Sequence, residues 1–237
     1  MKIYTYYEDI GFKNQDQLLD LWKYSWSKHG FTPIVLTRNE AKKSNLYEKY
    51  YDFVQRVHEK VSNKRLPEKE YCLAAQLEIV AFTTIDSASF ISDYDVINYD
   101  FPKPETINKK LHWRNGCCSC FASGDSNSWR QYIEFLFQKE NEIVQWCRKE
   151  KEKTKRKEFH DQDFLEAIHK EAKLNNIIEM SRDKKLCCKY FPNESEKQKI
   201  YHLSHNNMHE IQILDNEHKD ADKEDIRIII AKKILDM

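Results

Sequence analysis

The chain has 237 residues, 33% of them charged, a formal net charge of zero and only 4 glycines. Gly11, Gly30, Gly116 and Gly124 stand far apart, which excludes a G-x-G-x-x-G turn and a G-x-x-x-x-G-K loop; any bound phosphate must be held by a metal ion, basic side chains or helix N-termini. The 39 basic and 39 acidic side chains cancel, which argues against a general nucleic-acid or membrane-surface binder, and the length suits one domain with a sizeable core.

Residues 1–6 read as a first strand. The opening run MKIYTYYEDIGF shows neither a signal peptide nor a transmembrane segment. Residues 15–29 follow as an amphipathic helix, with Leu18, Leu19, Leu21, Trp22 and Trp26 at helical spacing and Gly30 as its stop. Residues 32–37, TPIVLT, form a short apolar strand. This β-α-β opening favours a parallel pair with a right-handed crossover. Helices are expected at 45–61 and 71–84, and a buried strand at 88–91 leads directly into Ser92-Asp93-Tyr94-Asp95. Residues 96–99 and 117–123 are further candidate strands, and 128–149 is expected to be one long helix.

The run RKEKEKTKRKE at 148–158 carries seven basic and three acidic residues, and reads as a solvated helix end with an exposed loop. A helix at 162–174, a short strand at 200–203 and a closing helix at 223–235 complete the chain, with Ile226, Ile229, Ile230 and Ile234 as the last helix's docking face. Alternating elements early and mixed ones later define an α/β fold.

The 7 cysteines are Cys72, Cys117, Cys118, Cys120, Cys147, Cys187 and Cys188. An odd count with two adjacent pairs reads as reduced thiols in a cytoplasmic setting. Cys117-x-x-Cys120 is half of a zinc-site spacing that Cys187, Cys188, His202 and His205 would have to complete. No second C-x-x-C exists, and buried thiols are the simpler reading.

The most informative segment is Phe90-Ile91-Ser92-Asp93-Tyr94-Asp95-Val96-Ile97. An apolar strand ends in two carboxylates one residue apart, and in extended backbone residues i and i+2 face the same way. Carboxylate oxygens suit a hard divalent ion, and ligands of open α/β sheets bind beyond the carboxyl ends of strands. D-x-D alone is a weak pattern and recurs at Asp161-Gln162-Asp163 and Asp220-Ala221-Asp222. Only the copy at Asp93 follows an apolar strand that is itself preceded by an apolar helix.

Taken in order, IYTYYED, TPIVLTRNEA, YCLAAQLEIVAF and FISDYDVINYDF resemble the N-terminal half of a glycosyltransferase of the GT-A fold. The resemblance is strongest over residues 1–102 and looks closest to small enzymes that decorate capsid or surface glycans; beyond Asp125 it lies in short motifs. It implies a GT-A-like (Rossmann-like) single domain with a mixed, mainly parallel sheet flanked by helices. Residues 1–102 would bind the nucleotide sugar and residues 103–237 the acceptor.

It further implies Mn2+ or Mg2+ on Asp93 and Asp95, assisted by a C-terminal histidine. His202 is preferred for that role; His205 is the reserve and is otherwise placed with the acceptor site. Thr5, Tyr7, Arg38 and Tyr94 would contact the nucleotide, although strand-end aromatics and an exposed loop arginine are equally ordinary features. Ser123, Gly124 and Asp125 would line the sugar and acceptor pocket; the alternative is a tight turn at Gly124 with Asp125 or Ser126 capping the next helix. Asp161, with Asp163 close behind, would be the base that deprotonates the acceptor in an inverting enzyme, and Asp161 is equally a good N-cap.

The expected activity is metal-dependent transfer of a sugar from a UDP- or GDP-sugar to a glycan or glycoprotein hydroxyl, with no nucleic-acid partner. A metal-dependent phosphohydrolase or nuclease and a zinc-stabilised binding module are the alternatives. The histidine segment lacks the Gly and Lys-Pro-Trp that follow such a histidine in one retaining branch. Sugar and stereochemistry therefore stay open.

Overall fold

A computed structural model describes residues 1–115, 118–154, 168, 178–181, 199–203 and 222–237. The chain is a mixed α/β protein built on a six-stranded sheet flanked by helices, an architecture compatible with a Rossmann-like fold. The opening elements are β1 (Lys2–Tyr6), α1 (Gln15–Lys28) and β2 (Thr32–Leu36). Asn14 enters α1 with positive φ, and Gly30 at φ +78° lets the chain reverse into β2. β1 and β2 pair in parallel, Lys2 opposite Thr32 through Tyr6 opposite Leu36, as the sequence predicts.

A one-turn helix α2 (Arg38–Ala41) follows, then α3 (Tyr47–Ser62), α4 (Tyr71–Ala81) with a 3-10 turn over Phe82–Thr84, β3 (Ser89–Ser92) and β4 (Val96–Asn98). β5 (Leu111–Asn115), β6 (Cys118–Gly124), α5 (Ser126–Gln138) and α6 (Glu140–Thr154) come next. β7 (Ile178–Met180), β8 (Ile200–His202) and α7 (Lys223–Leu235) complete the described elements. The strand order is β2-β1-β3-β6-β5-β7, with β4 and β8 forming a separate two-stranded sheet. β1–β2, β1–β3 and β5–β7 are parallel; β3–β6 and β5–β6 are antiparallel.

Alternation along the central strands splits the core between the two faces. Tyr4, Tyr6, Ile91 and Ala122 pack with α3, α4, α5 and α6. Ile3, Phe90 and Phe121 pack with α1, α7 and the β4–β8 pair. Phe90 stacks on Phe121 at 5.4 Å between centroids, and Trp26 lies on Phe121 at 5.8 Å.

The expected single helix over 128–149 is two helices, broken at Lys139. Neither glycine nor proline marks the break. Tertiary contacts hold it: Glu140 accepts hydrogen bonds from Arg56 (2.9 Å) and Lys60 (2.9 Å) of α3, so the chain redirects to lay α6 along α3. β5, β7 and α2 carry no sequence signal strong enough to have been expected. The expected helix at 162–174 lies, apart from the buried Ile168, outside the described residues.

Candidate metal centre

The two carboxylates converge, by a different route from the extended segment the sequence suggests. Asp93 to Val96 is a turn closed by the Val96 N–H donating to the Asp93 carbonyl at 3.1 Å. It links β3 of the main sheet to β4 of the small one. Two tryptophans of α1 bracket it from below. The Trp22 indole donates to Ser92 Oγ at 2.8 Å and the Trp26 indole donates to the Val96 carbonyl at 3.1 Å. Both indoles are fully buried, so the same periodicity that makes α1 amphipathic also fixes both ends of the acidic turn.

The third ligand candidate arrives through strand pairing. β4 and β8 are antiparallel with Val96 opposite His202, and the Leu203 N–H extends the ladder to the Asp95 carbonyl at 2.9 Å. His202 is thereby set beside the turn. Its Nε2 lies 3.5 Å from Asp95 Oδ1 and 3.9 Å from Asp93 Oδ2. One ligand atom from each of the three residues lies within 4.8 Å of the others. Bonds of about 2.1 Å to a divalent ion place ligand atoms about 3 Å apart at right angles and about 4.2 Å apart across it, which brackets the two separations from His202.

The donor set also passes an independent test. Asp95 is 8% exposed, and its Oδ1 is buried with no hydrogen-bond partner among the described residues. A buried carboxylate oxygen left so is costly unless a cation or water meets it. Its other oxygen is satisfied: Arg227 of α7 donates to Asp95 Oδ2 at 2.7 Å. Arg227 is 2% exposed and also donates to the Leu203 carbonyl at 2.9 Å and to Glu224 at 3.0 Å. Burial opposes its charge, but Asp95 and Glu224 outweigh that effect and hold its pKa above the ordinary arginine value. Burial first, and then the Asp95 carboxylate, push the Tyr94 phenol well up, so it stays neutral.

Asp93, Tyr94, Asp95 and Arg227 line a cleft of about 70 Å³ shared with Glu8, Gln15 and Glu78. Glu8 and Ile10 also belong to a second, wider cavity of about 480 Å³ beyond the carboxyl ends of β1 and β2, lined by Tyr7, Thr37, Arg38 and Lys69. The two cavities meet along the segment after β1, where Tyr7 and Tyr94 contact edge to face at 5.5 Å. The smaller has room for an ion and a few atoms; the larger falls within the range of small-molecule sites.

The sequence-predicted residues therefore divide. Asp93, Asp95, His202, Tyr94 and Tyr7 are brought together. Arg38 lines the wider cavity, but its guanidinium makes four hydrogen bonds to Glu8 and Glu68, so most of its donors are directed at protein. Thr5 is fully buried and lines neither cavity, because strand alternation sets it on the face of Ile3, which is covered by the core packed with α1.

Ser123, Gly124 and Asp125 are not at this end of the sheet. β6 runs antiparallel to β3 with Gly124 opposite Ser89, so they lie at the far end of β3, about 13 Å of strand from Asp93. There Asp125 caps α5, accepting from the Ser128 N–H at 2.8 Å, while Ser128 Oγ returns a contact to the Asp125 N–H at 3.1 Å. A Cβ on Gly124 would stand 2.7 Å from Ser128 Oγ and 3.3 Å from Leu111 Cα, so the missing side chain makes room for the cap. The capping alternative describes this corner. Asp161, Asp163 and His205 lie outside the described residues, as do Cys117, Cys187 and Cys188. Cys72, Cys120 and Cys147 are buried on three different elements.

Arg227 was missed by sequence reasoning, although a signal was present. It shares the helical stripe of Ile230, Ala231 and Ile234, so a charge stood on a buried face. Glu78 was missed too; it is the one charged residue of α4.

No family model, no curated protein and no solved structure matches the chain. Its class is defined by fold and site alone: a mixed α/β protein with an Asp-Asp-His cluster at the carboxyl end of its third strand. Among the described residues no helix is long and apolar enough to cross a membrane.

Proposed function

We propose that the chain is a metal-dependent glycosyltransferase that moves a sugar from a UDP- or GDP-sugar to a glycan or glycoprotein hydroxyl. The observation that carries this reading is the buried Asp95 Oδ1, without a hydrogen-bond partner among the described residues, beside Asp93 and His202 at the strand end where open α/β sheets take their ligands. The adjoining wider cavity supports it, since a nucleotide there would have its diphosphate beside the acids. With 4 scattered glycines, the chain has no glycine-rich motif to cradle phosphate, and a cation held by the acids is one of the means left for neutralising it.

Asp93, Asp95 and His202 would hold Mn2+ or Mg2+, and the mixed oxygen and imidazole set favours Mn2+ over Mg2+. Such an ion supplies Lewis acidity that stabilises a departing diphosphate. The chain's own groups do the rest. Trp22 and Trp26 hold the acidic turn at its two ends, Tyr7 and Tyr94 offer ring edges and faces at the junction of the cavities, and the buried surroundings strengthen each charge interaction.

The deciding experiment is a thermal-shift screen of nucleotide sugars with and without Mn2+, followed by a transfer assay on glycan acceptors. A ligand at 100 times its Kd stabilises by about 2.7 kcal/mol, or about 5–11 °C in a chain of this size. We expect such a rise only with nucleotide sugar and metal together, and sugar transfer from the ligand that gives it. Phosphoester hydrolysis without transfer would replace the proposal with a phosphohydrolase. Tightly bound zinc in the purified protein, with no nucleotide effect, would replace it with a zinc-stabilised module.

A further inference from the structure

Helix α7 lies at the end of the chain and contributes no ligand to the cluster, yet its buried arginine is placed between the two segments that do. Arg227 donates to Asp95 Oδ2 at 2.7 Å through one terminal nitrogen and to the Leu203 carbonyl at 2.9 Å through Nε. Leu203 follows His202 directly, and its own N–H donates to the Asp95 carbonyl at 2.9 Å. One planar guanidinium therefore joins the side chain of one ligand to the backbone beside another. Glu224, one turn earlier on α7, holds the remaining terminal nitrogen at 3.0 Å and keeps that plane from rotating.

We infer that Arg227 is a positioning residue of the metal centre: it occupies Asp95 Oδ2, leaves Oδ1 as the liganding oxygen, and fixes the distance from Asp95 to His202. This rests on the metal centre of the proposed function. Three observations carry it. Asp95 has one oxygen satisfied and the other buried without a hydrogen-bond partner among the described residues, the asymmetry expected of a monodentate ligand. Arg227 is 2% exposed, so its guanidinium is enclosed by protein and its hydrogen bonds fix its geometry. The same helix is also tied to the segment between β1 and α1, where Lys13 and Asn14 donate to Asp225 at 2.6 and 2.7 Å.

Lysine cannot reproduce this arrangement. It carries the charge, but its ammonium is a point donor without a rigid fork, so it can hold Asp95 or Leu203 but not both in one plane. Methionine fills similar volume and holds neither.

The test is Mn2+ binding followed by loss of the free-ion paramagnetic resonance signal, using the full chain as wild type, Arg227→Lys and Arg227→Met. Thermal stability is measured in parallel in EDTA, so that affinity is compared among folded molecules. Removing an outer partner of a metal ligand weakens binding about 10–100-fold. Wild type is expected to bind, Arg227→Met to bind about 10–100-fold more weakly, and Arg227→Lys to lie between them. If Arg227→Met unfolds, the comparison of Arg227→Lys with wild type decides. An unchanged Mn2+ affinity in a folded Arg227 variant, even one less stable in EDTA, overturns the inference and leaves the metal centre standing. Failure of wild type to bind Mn2+ overturns the metal centre itself and this inference with it.

Discussion

Asp95→Ala tests the candidate centre most directly, because its effects on stability and on metal binding can be worked out separately. In the absence of metal the substitution removes the 2.7 Å partner of an arginine that is 2% exposed. Breaking a buried pair on one side costs about 3–5 kcal/mol. Glu224 at 3.0 Å and the Leu203 carbonyl at 2.9 Å still hold Arg227, so the lower end, about 3 kcal/mol, is expected. In a chain of this length that lowers Tm by about 6–12 °C in EDTA. Wild type should then gain about 5–11 °C from Mn2+ at 100 times its Kd, and Asp95→Ala should gain nothing.

Asp95→Asn is the companion variant: its amide oxygen still accepts from Arg227, so it loses less stability in EDTA, yet it too should show no Mn2+ rise. The assay is differential scanning fluorimetry in EDTA and across a Mn2+ titration. A metal-induced rise retained in either variant would refute the assignment of Asp95 as a ligand. Wild-type stability in EDTA matched by Asp95→Ala would refute the argument from the buried pair.

Two further outcomes follow from the geometry. At the far end of the sheet, Gly124→Ala drives a Cβ to 2.7 Å from Ser128 Oγ and 3.3 Å from Leu111 Cα, and Asp125→Ala removes the cap of α5. Each should lower stability, by about 1–3 kcal/mol for the overpacked glycine and about 1 kcal/mol for the cap, while Mn2+ affinity stays at the wild-type value. A metal or donor-binding loss in a stable Asp125→Asn variant would return that corner to the site. For acid stability, hydrogen bonds from Arg56, against a smaller opposing effect of burial, and from Lys60 hold the Glu140 carboxyl below its ordinary pKa of 4.5. Its contribution is therefore full above about pH 4.5 and is lost as pH falls through the depressed value. Denaturant titrations of Glu140→Gln should show a deficit against wild type that is constant near neutrality and shrinks below about pH 4.5; a deficit independent of pH would show that packing, not charge, holds α6 to α3.

Much of the framework was legible in residue order. Leu18, Leu19, Leu21, Trp22 and Trp26 mark α1 by their period, Gly30 marks its end, and TPIVLT marks β2; all three lie where the pattern puts them. The acidic pair was legible because an apolar strand precedes it. The break at Lys139 was not, since the ion pairs of Glu140 with Arg56 and Lys60 join residues about eighty positions apart. The burial of Thr5 was not legible for the related reason that strand-end position does not reveal which neighbours cover a side chain.

By itself, then, the sequence determined the α/β class, the opening parallel pair and the placement of Asp93 and Asp95 after β3. These depend on the period of apolar residues, on glycine's tolerance of positive φ and on strand-end chemistry, all of which act between near neighbours. Only the tertiary structure decided that the carboxylates converge through a turn, that the β4–β8 pairing sets His202 beside them, and that α7 inserts Arg227 behind Asp95. It also decided that Gly124 and Asp125 serve a helix cap at the opposite end of the sheet. Register between distant strands, and the partner on which an apolar helix face docks, are fixed by burial summed over the whole core rather than by a local pattern.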